Sequence, residues 1–196
     1  GRLLAASPAG GSVYAATGSS VSIASGRLSY ALGLHGPCAT YDTACSAALV
    51  ACHAGLRALE RADCASGVAA GATIFLAPHT GTSFAVAGMT SARGRSHTFD
   101  ARADGYARGE ACGAVALRTS VGESSSLRFL GGAVRQDGRS ASLTAPNGQA
   151  QQGLLAAAYG DAGTSADALA LHEAHGTGTA LGDPIEVGSL AAAALS

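Results

Sequence analysis

Residues 41–61 read YDTACSAALVACHAGLRALER. The stretch changes character at its fifth residue. Before Cys45, the run 38–43 (CATYDT) has the composition of a short strand. After it, Leu49, Cys52, Leu56 and Leu59 recur at helical spacing over 46–61, while His53, Arg57, Glu60 and Arg61 share the opposite face. The first two turns carry no polar face. That predicts a helix buried at its N-terminal end and surfacing at its C-terminal end, with His53 on the solvated side. Cys45 then falls at a strand-to-helix turn, its sulfur beside the free N–H groups and the positive dipole end of the helix. Such a setting favours thiolate over thiol and is one way to make a nucleophile. A buried structural cysteine is the other reading of the same position.

Outward from this turn, strands and helices alternate. Residues 19–32 fit a helix with Val21, Ala24, Leu28 and Ala31 on one face, weakened by Gly26. Buried strands are expected at 66–75 and 112–118, and a further strand, interrupted by a glycine pair, at 126–135. The Gly-, Ser-, Thr- and Arg-rich region 78–110 between them is expected to be an ordered loop. A helix follows over 149–158, a strand over 168–174, a glycine-threonine turn, and a last helix from Pro184. Alternation of this kind predicts an α/β fold with buried, layered sheets.

Composition excludes several classes. With 47% hydrophobic and 13% charged residues over 196 positions, the chain is globular rather than disordered. A net charge of -1 without any Lys/Arg block gives no footprint for nucleic acid or an anionic membrane surface. No apolar run spans a bilayer, and no basic-then-apolar leader opens the sequence, so an intracellular, cytoplasmic protein is expected. Five cysteines, an odd number without a CxxC pair, argue against a disulfide framework and a structural zinc site. Cys38, Cys52, Cys64 and Cys112 are expected in the core.

Among the six histidines, His175 stands out because it ends the 168–174 strand and opens the turn HGTGT, where α/β proteins keep ligands. His172 is expected on the strand itself, as a core or second-layer residue. Downstream, Asp183, Pro184 and Glu186 read as helix-start chemistry, with Asp at the N-cap, Pro at the first helical position and Glu two residues on.

The strings YDTACSAALVA, FDARADGYARGEACGAVAL, LTAPNGQAQQ and EAHGTGTALGDPIE, in this order and spacing, resemble the ketosynthase (β-ketoacyl synthase) domain of type I polyketide synthases. The resemblance covers essentially the whole chain, as the central part of one ketosynthase domain (residues 1–196) truncated at both ends. It implies a thiolase-like α/β/α/β/α layered fold, incomplete here, with Cys45 at the start of a buried central helix and His175 close to it across a cleft. By the same resemblance Cys45 accepts an acyl group, and His175 assists decarboxylation of a malonyl-type extender and stabilises the enolate. Thr177 and Thr179 bind the phosphopantetheine arm, and Asp183 and Glu186 support the site. The implied partners are acyl carrier protein, acyl and malonyl-type thioesters and a second copy of the domain. No metal and no cofactor of its own is implied, since the phosphopantetheine arrives on the carrier protein. A second histidine, a lysine and a glycine-rich loop of the family are expected outside these residues. Ser46-Ala47-Ala48 after the nucleophile and Ala111 after Glu110 depart from the family pattern and leave the nucleophile intact.

Three other readings compete. A fatty-acid or polyunsaturated-fatty-acid ketosynthase would share Cys45 and His175. A non-catalytic, carrier-binding or chain-length-setting homologue would usually lack the cysteine. A degradative thiolase is disfavoured by HGTGT.

Overall fold

The computed structural model describes residues 8–119 and 127–195. Five helices of nine residues or more are α2 (Ile23–Leu32), α3 (Ala47–Glu60), α4 (Pro78–Val86), α5 (Gly148–Ala162) and α6 (Gly182–Ala194), preceded by the short α1 (Ala15–Ser19). Two strands, β1 (Ser66–Thr73) and β2 (Ala111–Arg118), pair in a two-stranded sheet. The chain divides into two units, Gly1–Gly71 with Ala114–Ser125, and Ala72–Gly113 with Ser126–Ser196.

In the first unit, α2 ends where the chain requires it to. Gly33 adopts φ +65°, and the N–H of Leu34 returns to the Ser29 carbonyl, closing the left-handed cap that glycine permits. The expected strand 38–43 does not form. This segment is pinned by Thr40, whose hydroxyl accepts from the Ser25 N–H and pairs with the Ser25 hydroxyl at 2.8 Å, so side-chain bonds to α2 replace a strand ladder. The anticipated face of α2 is also wrong: Val21, Leu28 and their partners Ala24 and Ala31 are exposed, while Ile23, Ser25, Gly26 and Ser29 are half-buried. Bonding to Thr40 turned the serine side inward.

Helix α3 forms over the expected residues, but its burial runs the other way. Leu59 near its C-terminus is 7% exposed, whereas Leu49 in the first turn is 74% exposed. The cause is where β1 and β2 touch it. A Cβ at Gly71 would sit 3.0 Å from the Ala48 Cβ, and one at Gly55 would sit 2.9 Å from Leu117 Cδ1. These contacts cover the small-residue stripe and leave Leu49 outside it. His53, expected in solvent, is half-buried with its Nδ1 enclosed and unpartnered. The strands themselves are mostly exposed, with Ala69 the buried residue of β1, because among the described residues no helical layer covers their outer faces.

In the second unit, α4 occupies part of the expected loop. Pro78 opens it, and the hydroxyls that made the segment look irregular bond back to the helix, Thr82 to the Pro78 carbonyl and Ser83 to the His79 carbonyl. Asn147 caps α5, its side-chain oxygen accepting from the N–H groups of Gln149 and Ala150. Residues 127–135 are not a strand. They run past the end of α5, where Gly131 lies so close to Asp161 and Ala162 that a Cβ would meet their backbone at 2.6–2.8 Å. Residues 168–174 are not a strand either, and His172 and Leu171 are exposed. Helix α6 packs against α5, with the Ser189 hydroxyl donating to the Gly148 carbonyl at 3.1 Å.

Candidate active site

Cys45 occupies a 3-10 turn, Ala44–Ser46, that feeds directly into α3. The turn is closed by polar side chains: the Thr43 and Ser46 hydroxyls lie 2.8 Å apart, and the Ser46 hydroxyl donates to the Thr43 carbonyl. Ala44 holds φ +54°, a conformation that costs a residue with a Cβ roughly 1–2 kcal/mol. The cysteine therefore stands at a helix start, as its sequence setting implied, but on a strained turn rather than a strand end. It is exposed, as are Cys38 and Cys112; Cys52 and Cys64 are half-buried. The expectation that Cys38 and Cys112 lie in a core fails. Cys38 faces the serines of α2, and the Ser25 hydroxyl, followed by that of Ser29, holds its thiol below the ordinary range.

The second unit builds a separate constellation around 175–179. His175 is exposed at the head of a turn in which Gly176 and Gly178 take φ +55° and +73°. Two carboxylates from the first turns of α6 hold this turn by its backbone. Glu186 accepts from the N–H of His175 at 2.5 Å and from that of Gly176 at 2.9 Å. Asp183, only 4% exposed, accepts from Gly178 at 3.0 Å and Thr179 at 3.3 Å on one oxygen, and from Phe99 at 2.7 Å on the other. The helix-start reading of these residues needs correction. Helix α6 begins at Gly182, earlier than expected, and its N-terminus is served by Thr179, whose hydroxyl accepts from the Gly182 N–H. Asp183 and Glu186 are thereby released to bind the preceding turn. A buried carboxylate that accepts several backbone N–H bonds is well satisfied, and it rigidifies what it binds.

The hydroxyls of Thr177 and Thr179 lie 3.2 Å apart and half-buried. Beside Thr179 opens a cavity of about 510 Å³, walled by Phe99, Asp100, Ala180, Asp183, Pro184 and Val187 among others. Its far wall comes from the segment 97–105, which sequence reasoning left inside a loop. Phe99 there holds φ +56°, and Thr98 donates to the Gly176 carbonyl at 2.6 Å. The signal that could have found this segment is Gly105. At φ +128° it packs so tightly on residues 89–91 that a Cβ would lie 2.6 Å from their backbone, and its own N–H donates to the Gly178 carbonyl. Nearby, Asp104 is held below the usual carboxylate range by the Ser91 hydroxyl and by Arg93, and Asp100 well below it by Arg102. Arg108 stacks between the rings of Phe75 and Phe84, tying α4 to the strand entry.

A cysteine at a helix start, and a histidine opening a Gly-Thr turn braced by two carboxylates, are set in a chain matched over two consecutive stretches by family models. Residues 2–121 match the β-ketoacyl synthase N-terminal domain and residues 128–196 the β-ketoacyl synthase C-terminal domain. The chain belongs to the β-ketoacyl synthase family. A phenolphthiocerol/phthiocerol polyketide synthase of Mycobacterium tuberculosis is 44% identical to this ketosynthase chain across 97% of it, and the chain spans 13% of that protein's length. Spectinabilin polyketide synthase system protein NorC of Streptomyces orinoci is 42% identical across 97% of the chain, which spans 9% of it. Among solved structures, the ketosynthase from module 6 of the bacillaene synthase from Bacillus subtilis 168 superposes with a TM-score of 0.83 at 32% identity, over 93% of this chain and 34% of the other. The fold is thus that of the thiolase-like ketosynthases, of which the described residues carry one two-stranded sheet.

Cys45 lies in the first unit and His175, Thr177, Thr179, Asp183 and Glu186 in the second. Among the described residues no group of three His, Cys, Asp or Glu side chains comes together to hold a metal ion, and no helix is long and apolar enough to cross a membrane.

Proposed function

We propose that this chain contributes the acyl-accepting cysteine and the first histidine of a ketosynthase acting in polyketide biosynthesis, as a central part of one such domain. The observation that carries the reading is the braced turn 175–179 within a β-ketoacyl synthase match: Glu186 and Asp183 fix the backbone from which His175, Thr177 and Thr179 project. In this reading Cys45 attacks the thioester of an acyl chain delivered on acyl carrier protein. The carbonyl carbon forms a bond to its sulfur as the phosphopantetheine thiol leaves. The hydroxyl pair of Thr177 and Thr179 binds the arm of the incoming malonyl-type thioester, with the cavity beside Thr179 as room for it. His175 donates a hydrogen bond to the extender's thioester oxygen as carbon dioxide departs and enolate charge develops there. The enolate carbon then bonds to the acyl carbon and Cys45 is released. We infer a cytoplasmic, homodimeric enzyme partnered by carrier protein.

The test loads the complete ketosynthase domain with an acyl carrier thioester and follows it by intact mass. Cys45→Ala is expected to lose acylation altogether. His175→Ala is expected to acylate and then fail to condense. Acylation retained in the cysteine variant would move the nucleophile elsewhere.

A further inference from the structure

The turn that carries His175 and Thr177 is a chain of peptide planes joined at glycines, and glycine gives little resistance to a peptide flip. Gly176 and Gly178 both sit at positive φ. The plane between His175 and Gly176 is fixed through its N–H, which bonds to Glu186. The next plane, between Gly176 and Thr177, is held through its carbonyl by the Thr98 hydroxyl at 2.6 Å, from a residue 78 positions earlier in the chain. The Thr98 methyl closes the same spot sterically, since a Cβ on Gly176 would lie 2.7 Å from it. The neighbours of Thr98 are tied to the same turn. The Phe99 N–H bonds Asp183, and the His97 backbone lies 2.9 Å from where a Gly178 Cβ would be. Phe99 holds φ +56° while doing so, a strain that persists only where surrounding contacts over-determine it.

We propose that Thr98 is a positioning residue for the ketosynthase reaction: its hydroxyl locks the Gly176–Thr177 peptide plane and so sets the direction of the Thr177 hydroxyl relative to His175. The inference rests on the function proposed above. Loss of the lock lets the plane reorient, which disturbs the binding of the pantetheine arm and the alignment of the extender against His175, so condensation, which needs both, suffers more than acylation.

The experiment compares Thr98→Ala and Thr98→Ser with wild type in the complete ketosynthase domain, using acylation of Cys45 by intact mass, condensation kinetics with a malonyl carrier thioester, and amide hydrogen exchange across 175–179. Thr98→Ala is expected to lower condensation kcat/KM about tenfold, the loss of one well-formed hydrogen bond. Acylation, whose donor carries the same arm, should slow less than condensation, and exchange of the turn's Glu186- and Asp183-bonded amides, at Gly176 and Gly178, should quicken. Thr98→Ser keeps the donor and is expected to recover most of the rate and the slow exchange. Wild-type condensation in Thr98→Ala, or a serine variant as slow as alanine, overturns the proposal. If wild type itself fails to acylate Cys45, the functional reading falls first. Amide exchange still decides whether Thr98 holds the turn, and unchanged exchange in Thr98→Ala refutes that as well.

Discussion

At the scale of single residues, backbone carbonyls and N–H groups are managed by a few polar side chains. Ser91 is one of them: buried to 9% exposure, it donates to Asp104 at 2.6 Å and accepts from the Arg93 N–H. Because this bond, first among its causes, lowers the Asp104 pKa in the folded chain, its stabilisation is fully present above the unfolded value near 3.8 and is lost as pH falls through the folded value. Ser91→Ala should therefore be less stable than wild type at neutral pH by urea denaturation, with the gap narrowing below about pH 4. A gap that stays constant through that range would detach Asp104 from the effect. Ala44 makes a second case. Glycine relieves its φ of +54°, so Ala44→Gly is expected to raise stability by up to about 1 kcal/mol while loosening the turn that presents Cys45 and slowing its acylation. Thermal melts and acylation rates measured on one preparation check both halves.

At the scale of elements, helices were more legible in the sequence than strands. The segments 46–61 and 149–158 carry local signals, and both helices form, the second extended to Gly148–Ala162 between the Asn147 cap and Gly163. The runs 38–43, 127–135 and 168–174 have strand composition, but pairing is a non-local property. In the first two, side chains take up the backbone or are taken up by it instead, as in the Thr40 hydroxyl accepting from Ser25 and the Asp161 carboxylate accepting from Gly132. Helix α4 was illegible because its hydroxyls look like loop chemistry until they bond back. The site residues could be named from motifs, but the bracing of their turn could not: Asp183 and Glu186, which read as helix-start residues, hold its backbone instead, and Thr98 reaches it from far away in sequence. Helix α5 offers two opposed substitutions. Asn147→Ala removes a cap that serves two N–H groups and should cost about 1 kcal/mol. Gly153→Ala, at a helix-interior position with nothing within 4 Å of the new Cβ, should add about 0.5–1 kcal/mol. Denaturant midpoints moving in the same direction for both would refute this account.

At the scale of the whole chain, burial is sparse. Leu59 and Ala69 are the buried hydrophobic residues among those described, and large apolar side chains such as Tyr30, Val13, Leu143 and Leu127 are 87–104% exposed. The solved ketosynthase it matches is covered to 34% by this chain. The 196-residue chain produced alone is expected to bind a hydrophobic dye such as ANS strongly and to melt without a sharp transition. The complete domain should bind little dye and melt cooperatively. Weak dye binding by the isolated chain would mean that these side chains find cover within it. The α/β character could be inferred from alternation of segments, but neither the small two-stranded sheet nor the burial pattern could, since both depend on non-local partners.

The pairing of β1 with β2 also has a timetable. The end of β1 at Thr73 and the end of β2 at Arg118 are separated by 118 − 73 = 45 residues. At a synthesis rate of about 5–20 residues per second, β1 leaves the ribosome roughly 2–9 s before its partner strand is finished. Helix α3 is complete before β1 begins, and its Ala48 lies against Gly71. During those seconds α3 is the neighbour already synthesised, and its Ala48 is a contact that Gly71 can make before the second strand arrives.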